Sequence, residues 1–186
     1  MLARQEIEKL TLEYGGEWGI NHSKRLLHLV SILGEGMDYN EEAVWLAAYL
    51  HDWGGYTPWM TQGVEHEVRS VEVAREFLEK NRYPEELSEL VLECIGCHHG
   101  GPADRSIESI LLTDADALDL LGVVGVMRIC CMVPRNLGGA YAAVKKWRER
   151  ETAAICLEKT RQIAAKRIEE TDEMLRAFEE ETFGMF

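Results

Sequence analysis

The adjacent residues His51 and Asp52 carry the side chains best suited to chemistry, and the preceding sequence indicates how they are presented. They follow a short segment that Asn40 suits as a helix N-cap and that Gly54 and Gly55 end, which places the pair on the last turn of a helix. The residues three to seven positions earlier are mostly apolar, so both polar side chains leave a largely apolar surface. A buried hydrogen-bonded pair and a pair of metal ligands both fit this pattern.

The six histidines can be assigned to helix faces, because an α-helix turns by about 100° per residue. Four of them share a face with apolar residues and are predicted to point inward: His22, His51, His66 and His98. His99 lies about 100° from His98 and can border the same cavity, whereas His28, about 240° from His22, is predicted at the surface. Asp114 and Asp116 are about 200° apart, so only one of them can face a given site.

Four inward histidines and two acids are difficult to satisfy separately inside an apolar helical bundle. A single inward histidine is usually a core residue with a hydrogen-bond partner, but a set of them is best explained by joint binding of a ligand. Imidazole and carboxylate groups with few available thiolates favour iron, manganese, cobalt, nickel, zinc or magnesium. The sequence therefore predicts a site for a divalent metal.

The order of these residues resembles the H...HD...D signature of the HD superfamily of metal-dependent phosphohydrolases, over about residues 20–122. The matching elements are His22, the pair His51-Asp52, and Asp116 within an Ala-Asp-x-Leu-Asp stretch. The resemblance implies that these four residues coordinate one metal ion. It also implies a compact helical bundle of the HD-domain type.

Members of this superfamily with two metals add two histidines between the HD pair and the last aspartate, and the HD aspartate bridges the ions. His66 and His98 stand at those positions, and Ile95-x-x-His98 resembles the Ile-x-x-His element of the superfamily. Many single-metal members keep similar histidines as substrate contacts, so one ion and two ions both remain open. In either case Asp52 is the residue expected to orient the attacking water.

The resemblance implies hydrolysis of a phosphate ester or anhydride in a small molecule, with a nucleotide as the expected substrate and a metal-activated water as nucleophile. His99 is the candidate for a hydrogen bond to the transferring phosphoryl group. Arg25 and Arg69, each three residues after a predicted ligand, can contact phosphate at the cavity border or can be ordinary surface charges. Two other functions fit the same ligands: a diiron oxygenase, as in some relatives, and a non-catalytic nucleotide-binding sensor.

A second metal motif overlaps the last two histidines. The run from Cys94 to His98 satisfies C-x-x-C-H, the attachment signature of c-type haem, but that attachment needs export, and the charged N-terminus does not resemble a signal peptide. A zinc site of Cys94, Cys97, His98 and His99 would need four adjacent ligands to converge from one helix end, which tetrahedral geometry makes awkward. Packing of Cys94 on the inward face of a helix explains the motif better.

The composition limits the choice of partners. The 186 residues are 46% hydrophobic, enough for one domain with a substantial core, and carry a net charge of -13. So negative a surface repels nucleic acid polymers and anionic membranes, whereas a few local cations can still bind a small phosphorylated molecule. No apolar run is long enough to span a bilayer, so we expect a cytoplasmic protein whose five cysteines are reduced thiols.

The spacing of apolar residues predicts helices along nearly the whole chain, and hence an all-α fold. One HD-like domain is expected over 1–186, with a motif core at about 20–122 and a C-terminal extension at about 123–186. Helices are predicted at 2–13, from Asn21 to 33, and at 40–50, 64–81, 84–99, 106–121, 123–133 and 140–181. The last and longest is a candidate homodimer contact. The aromatic loop 54–63 either covers a ligand or folds back onto the core.

Overall fold

The part of the protein that the structure describes, residues 4–186 of a computed structural model, contains eight α-helices and one short 3-10 helix and no strand. The expectation of an all-α fold is confirmed. None of these helices is both long and apolar enough to cross a membrane. In chain order they are α1 (Arg4–Leu33), α2 (Glu41–Leu50), the 3-10 helix (Trp53–Gly55), α3 (His66–Lys80), α4 (Glu85–Gly96), α5 (Ile107–Asp119), α6 (Gly122–Met132), α7 (Leu137–Ala154) and α8 (Glu158–Glu181).

The chain forms two compact units, Met1–Ala115 and Asp116–Phe186, and α5 contributes residues to both. In the first unit α2 contacts both α1 and α4, and the 3-10 helix contacts α1 and α3. All α2 residues from Ala43 to Leu50 are buried. A helix that is covered on every side needs apolar residues all round, which is why the segment before His51 has almost no polar side chain.

The N-cap predicted for α2 is confirmed. The side-chain oxygen of Asn40 accepts a 3.0 Å hydrogen bond from the backbone N–H of Ala43, while its own backbone N–H donates to Glu108 at 2.6 Å. At the other end the backbone N–H of His51 donates to the carbonyl of Ala47 at 2.9 Å. Helix α2, which is almost entirely buried, therefore ends at Leu50, and the two polar residues follow directly.

Helix α1 has a sharp kink at Gly16, whose backbone is not helical (φ 62°, ψ -164°). Glycine adopts a positive φ readily because it has no Cβ to clash with the backbone. The helical segment after the kink begins before Asn21, so Asn21 lies inside a helix and the predicted N-cap there is wrong. The two glycines at 15 and 16 do interrupt the first predicted helix, of which residues 2 and 3 lie outside the described part.

In the second unit, the helix predicted at 140–181 is divided in two, so the prediction of one continuous helix is wrong. The break is at Ile155, which has extended backbone (φ -65°, ψ 126°) and a buried side chain. Beyond it the chain returns along α7, since Arg148 donates to Asp172 at 2.9 and 2.6 Å. The prediction of a long C-terminal helix is therefore confirmed only for α8, which has 24 residues.

Candidate metal centre

Six side chains of the first unit form two groups, each of which could hold a metal ion. Within each group, one ligand atom per residue lies within 4.8 Å of the others. The six residues belong to four different parts of the chain, so only folding brings them together. The first group is His22, His51 and Asp52, and the second is His66, His98 and His99.

In the first group, the Nε2 atoms of His22 and His51 are 3.2 Å apart. Oδ2 of Asp52 lies 3.4 Å from Nε2 of His51 and 3.8 Å from Nε2 of His22. Both histidines are almost completely buried, at 1 to 2% exposure. Two ring nitrogens and a carboxylate oxygen that converge in a site shielded from solvent are a donor set suited to a divalent transition metal.

In the second group, the Nε2 atoms of His66 and His99 are also 3.2 Å apart. The ring centroid of His98 lies 4.0 Å from that of His99 and 5.5 Å from that of His66. His98 is buried, whereas the side chain of His66 is 38% exposed. This group is therefore the more accessible of the two to a molecule that arrives from solvent.

Asp52 lies between the two groups and faces both. Its Oδ2 is directed at the first group, and its Oδ1 lies 3.7 Å from Nε2 of His66 in the second. The groups are adjacent, since the ring centroids of His51 and His98 are only 5.1 Å apart. A carboxylate that offers one oxygen to each of two ligand sets has the arrangement of a bridging ligand.

The orientation of two rings supports metal binding. Nδ1 of His51 lies 3.1 Å from the carbonyl oxygen of Ala48, and Nδ1 of His98 lies 2.5 Å from that of Ile95. A carbonyl oxygen only accepts, so in each ring Nδ1 carries a hydrogen and Nε2 is the nitrogen that faces the site. A metal-ligating histidine typically donates a hydrogen bond from the ring nitrogen that does not face the metal, and this bond fixes both the tautomer and the ring orientation. The residues therefore fit the metal that the ligand set implies.

The charge state of Asp52 also fits a cation. Burial by itself would raise the pKa of this carboxyl group. Against that effect, the charge and hydrogen bond of His51, and the charges of His22 and His98, hold the pKa well below its ordinary value. Asp52 is thus ionised at neutral pH and supplies negative charge to both groups.

The two arginines that the sequence proposes as phosphate contacts differ in their surroundings. Arg69 donates from Nε to the carbonyl oxygen of Trp59 and from Nη1 to Glu72, both at 2.7 Å. It therefore holds the loop 54–63, which folds back onto the helices of the first unit. Arg25 is half-buried, three residues after His22. The contact of either arginine with phosphate stays a prediction.

Asp116 is buried on α5 and belongs to the second unit. Within that unit, burial and then the charge of Asp116 raise the pKa of Glu151 to about 7, although Arg150 acts in the opposite direction. Two buried acids near each other are unfavourable unless a proton or a cation compensates them. The place of Asp116 in the ligand set stays a prediction.

The cysteines of the C-x-x-C-H motif belong to neither ligand group. Cys94 is completely buried, and burial is the main reason why the pKa of its thiol is raised. A thiol with a raised pKa is a poor metal ligand and a poor nucleophile at neutral pH, because the thiolate is the reactive form. Cys94 therefore packs in the core, as the sequence indicates.

A family model for the HD domain matches residues 19–121, more than half of the chain and a range that includes every predicted ligand. The chain belongs to the HD domain family. This membership agrees with the geometry above, in which the histidine and aspartate of the HD pair lie side by side in the first ligand group.

Two curated relatives are both named Ribonuclease Y. The protein from Symbiobacterium thermophilum is 32% identical over 103 residues, which are 55% of this chain and 18% of the relative. The protein from Clostridium botulinum is 29% identical over 110 residues, which are 58% of this chain and 20% of the relative. The match thus covers about a fifth of the length of these curated relatives.

Solved structures share the HD-domain fold over almost the whole chain. Bacillus subtilis YpgQ in complex with ADP is 22% identical with a TM-score of 0.70, covering 96% of this chain and 97% of its own. An HD-superfamily hydrolase from Bacillus thuringiensis is 23% identical with a TM-score of 0.64, covering 96% and 98%. A Lactobacillus plantarum protein is 19% identical with a TM-score of 0.73, covering 97% of each chain.

The sequence does not predict that His99 joins a ligand group. It places His99 at the border of the same cavity, about 100° from His98 along a continuing helix, and names it as a candidate contact of the phosphoryl group. The structure ends α4 at Gly96 rather than at about 99, so the two histidines lie in the turn beyond the helix. Gly96, followed by Gly100 and Gly101, was the signal that could have indicated this earlier end.

Proposed function

We propose that this HD-domain chain is a metal-dependent phosphohydrolase that acts on a small phosphate ester or anhydride, with a nucleotide as substrate. The observation that carries the proposal is the position of Asp52, whose two carboxylate oxygens face two separate groups of histidines. If the His-Asp pair only closed a helix end, one neighbouring histidine group would be enough to satisfy its polar atoms. Two adjacent ligand sets joined by one carboxylate are typical of two-metal phosphohydrolases.

The residues of the chain would hold the ions and orient the reacting groups. His51 and His98 commit Nδ1 to backbone carbonyls and so present Nε2 to the site. When bound, divalent ions would supply Lewis acidity toward phosphoryl oxygens and would lower the pKa of water toward neutrality. The ionised carboxylate of Asp52 offsets part of their charge and orients the water. Burial of the first group strengthens these electrostatic interactions, because less solvent screens them.

A nucleotide is favoured as substrate by one comparison and by charge. The structure of Bacillus subtilis YpgQ contains ADP, and that protein shares the fold of this chain along nearly its whole length. At 22% identity the likeness concerns the fold, so ADP is the first compound to test rather than an assigned substrate. The net charge of -13 favours a compact substrate, which needs only a few local cations and metal ions, over a polyanion.

The test counts bound ions and measures release of phosphate or pyrophosphate. Protein purified without chelator and supplied with Mn²⁺, Co²⁺ or Fe²⁺ is expected to bind two ions per chain and to hydrolyse nucleotides. Asp52→Asn keeps the shape of the side chain but removes its charge. We expect it to weaken binding of both ions and to lower turnover at least about 100-fold, since loss of a ligand should cost no less than loss of its outer partners.

The matched control is Asp38→Asn, because Asp38 is an exposed acid in the loop before α2. This variant is expected to bind two ions and to hydrolyse nucleotides like the parent. O₂ consumption by the iron-loaded protein is measured in parallel. Consumption of O₂ without hydrolysis would contradict the proposal, and so would an Asp52→Asn variant with the metal content and turnover of the parent.

A further inference from the structure

The residues that follow Asp52 connect the ligand-bearing helices of the first unit. We propose that this aromatic segment, residues 53–59, positions His22 in the first ligand group, and that Tyr56 is its main positioning residue. The inference rests on the proposed function, because it concerns the affinity for the ion that the first group would hold. It assigns Tyr56 no contact with substrate.

The side chain of Tyr56 lies against bare helix backbone at Gly15 and Gly19. A Cβ atom at Gly15 would be 2.5 Å from Cζ of Tyr56, and one at Gly19 would be 2.9 Å from the same atom. Real Cβ atoms do not approach a neighbour so closely, so the ring fits only because both positions are glycine. Gly19 is buried and lies one helical turn before His22.

The contact matters because it spans the kink in α1. Gly16 has a non-helical backbone, so helix geometry alone does not fix the direction of the segment that carries His22. Tyr56 contacts Gly15 on one side of the kink and Gly19 on the other. The ring of Tyr56 contacts α1 on both sides of the kink at Gly16, so it can fix the angle between the two helical segments.

Two tryptophans of the aromatic segment hold the part of α1 before the kink. Nε1 of Trp53 donates a 3.1 Å hydrogen bond to Oγ1 of Thr11. The rings of Trp53 and Trp59 stack with centroids 4.7 Å apart and planes 3° apart, and Trp59 meets the ring of Tyr14 edge-on at 4.7 Å. The aromatic segment is thus anchored on α1 independently of Tyr56.

The aromatic segment is also tied to α3, the helix that begins with His66. The backbone N–H of Gly54 donates to Oγ of Ser70 at 2.9 Å, and Arg69 donates to the carbonyl oxygen of Trp59 at 2.7 Å. The residue before the segment is Asp52. One short stretch therefore connects the carboxylate of Asp52 to α1 and α3. Within this stretch, Tyr56 contacts Gly19 in the part of α1 that carries His22.

The test isolates the first ligand group by working in a His66→Ala background, which removes a ligand of the second. In this background we measure Co²⁺ affinity by titration of the metal-free protein. Gly19→Ala, which displaces the ring of Tyr56, is expected to weaken binding about tenfold, as does loss of other groups that orient a ligand. Tyr56→Ala is expected to weaken it by a similar factor, and the double variant by no more than either single variant, because both changes break one contact.

Two control variants separate positioning from general destabilisation. Tyr56→Phe removes the hydroxyl oxygen, which is the Tyr56 atom nearest to Gly19, but keeps the ring carbons beside both glycines, so it should weaken Co²⁺ binding less than Tyr56→Ala does. Ile7→Val trims a buried side chain of α1 before the kink, so it should lower thermal stability without weakening Co²⁺ binding. In the metal-free protein, the ring nitrogen signals of His22 in NMR spectra should move in Gly19→Ala but not in Ile7→Val.

Three results would overturn the inference: Gly19→Ala with unchanged affinity and only a lower thermal stability, additive losses in the double variant, or Ile7→Val with an equal loss of affinity. Failure of the proposed function gives a different result, in which the parent chain itself binds no ion. That result would overturn both proposals.

Discussion

The two neighbouring histidines of the second ligand group are held in different ways. His98 is buried, and its Nδ1 donates to the carbonyl of Ile95. His99 is half-buried, and its Nε2 lies 3.2 Å from Nε2 of His66. Such a short distance between two ring nitrogens suits either one hydrogen bond or a shared ion. If His99 is a metal ligand, its removal should lower the number of bound ions. If His99 only contacts the phosphoryl group, its removal should leave that number unchanged.

We expect His99→Ala to lower the number of bound ions from two to about one at metal concentrations that saturate the parent. The physical reason is that the second group would lose one of its three histidines in the more exposed of the two sites, where solvent competes more strongly for the ion. The measurement is metal content per chain after equilibration with Mn²⁺, together with nucleotide turnover. His28→Ala is the matched control, because His28 is exposed. A variant that keeps two ions and loses only turnover would restore the phosphoryl contact and exclude the ligand role.

Helical periodicity predicted the burial of two histidines but did not predict where the helix before one of them ends. His22 and His98 were predicted to point inward, and both are buried. The rotation argument assumes a continuing helix, and α4 ends at Gly96, so the close grouping of His99 with His66 and His98 was not predicted. The joint position of the six side chains in the two groups depends on packing among four parts of the chain. The family resemblance, and no local pattern, indicated five of them from the sequence.

Helix boundaries were predictable where a cap marks them and unpredictable where packing alone sets them. The start of α2 has a capping residue, Asn40, and was predicted correctly. Asn21 has the same side chain but lies inside a helix, because the kink at Gly16 had already allowed a new helical segment to begin. The break at Ile155 contains no glycine or proline, and the two helices that it separates pack against each other.

The close approach of the 3-10 helix to α3 gives a prediction about stability. A Cβ atom at Gly54 would lie 2.6 Å from the carbonyl oxygen of His66 and 2.7 Å from the carbonyl carbon of Arg69, which are backbone atoms that cannot rotate away. Gly54→Ala is therefore expected to destabilise the fold by about 1 to 3 kcal/mol. For a chain of this size, each kcal/mol lowers Tm by about 2 to 4 °C. Thermal unfolding of the metal-free protein measures the effect.

The neighbouring glycine provides the control for this prediction. A Cβ atom at Gly55 would meet only Cβ of His66, at an ordinary contact distance of 3.7 Å. Gly55→Ala should therefore leave Tm nearly unchanged. Equal Tm values for the two variants would mean that the 3-10 helix is not packed tightly on α3. The hydrogen bond from Gly54 to Ser70 would then not be what positions His66.

Over the whole molecule, net charge separates two kinds of substrate that the same metal centre could attack. The curated relatives named Ribonuclease Y match only the HD-domain part, which is about a fifth of their length. A polymer substrate contacts a large area of surface, whereas a nucleotide contacts little beyond the metal centre. With a net charge of -13, this chain would repel most of a polymer.

We therefore expect hydrolysis of a free nucleotide such as ADP with a kcat/KM roughly 10- to 1,000-fold above that for a single-stranded RNA oligonucleotide, the range of electrostatic effects on association. A ribodinucleotide is the control, since it contains the phosphodiester bond of RNA without the charge of the polymer. It separates a preference for one type of bond from repulsion of the chain. If repulsion decides, the dinucleotide should be hydrolysed faster than the oligonucleotide.

Salt gives an independent check of the same prediction. Added salt screens repulsion between like charges, so it should raise the rate on the oligonucleotide relative to the rate on the dinucleotide. A protein that binds RNA through a basic surface behaves in the opposite way, because its affinity falls steeply as salt increases. Oligonucleotide cleavage that is fast in low salt and lost at higher salt would show that a local basic surface outweighs the net charge, and the nucleotide would no longer be the favoured substrate.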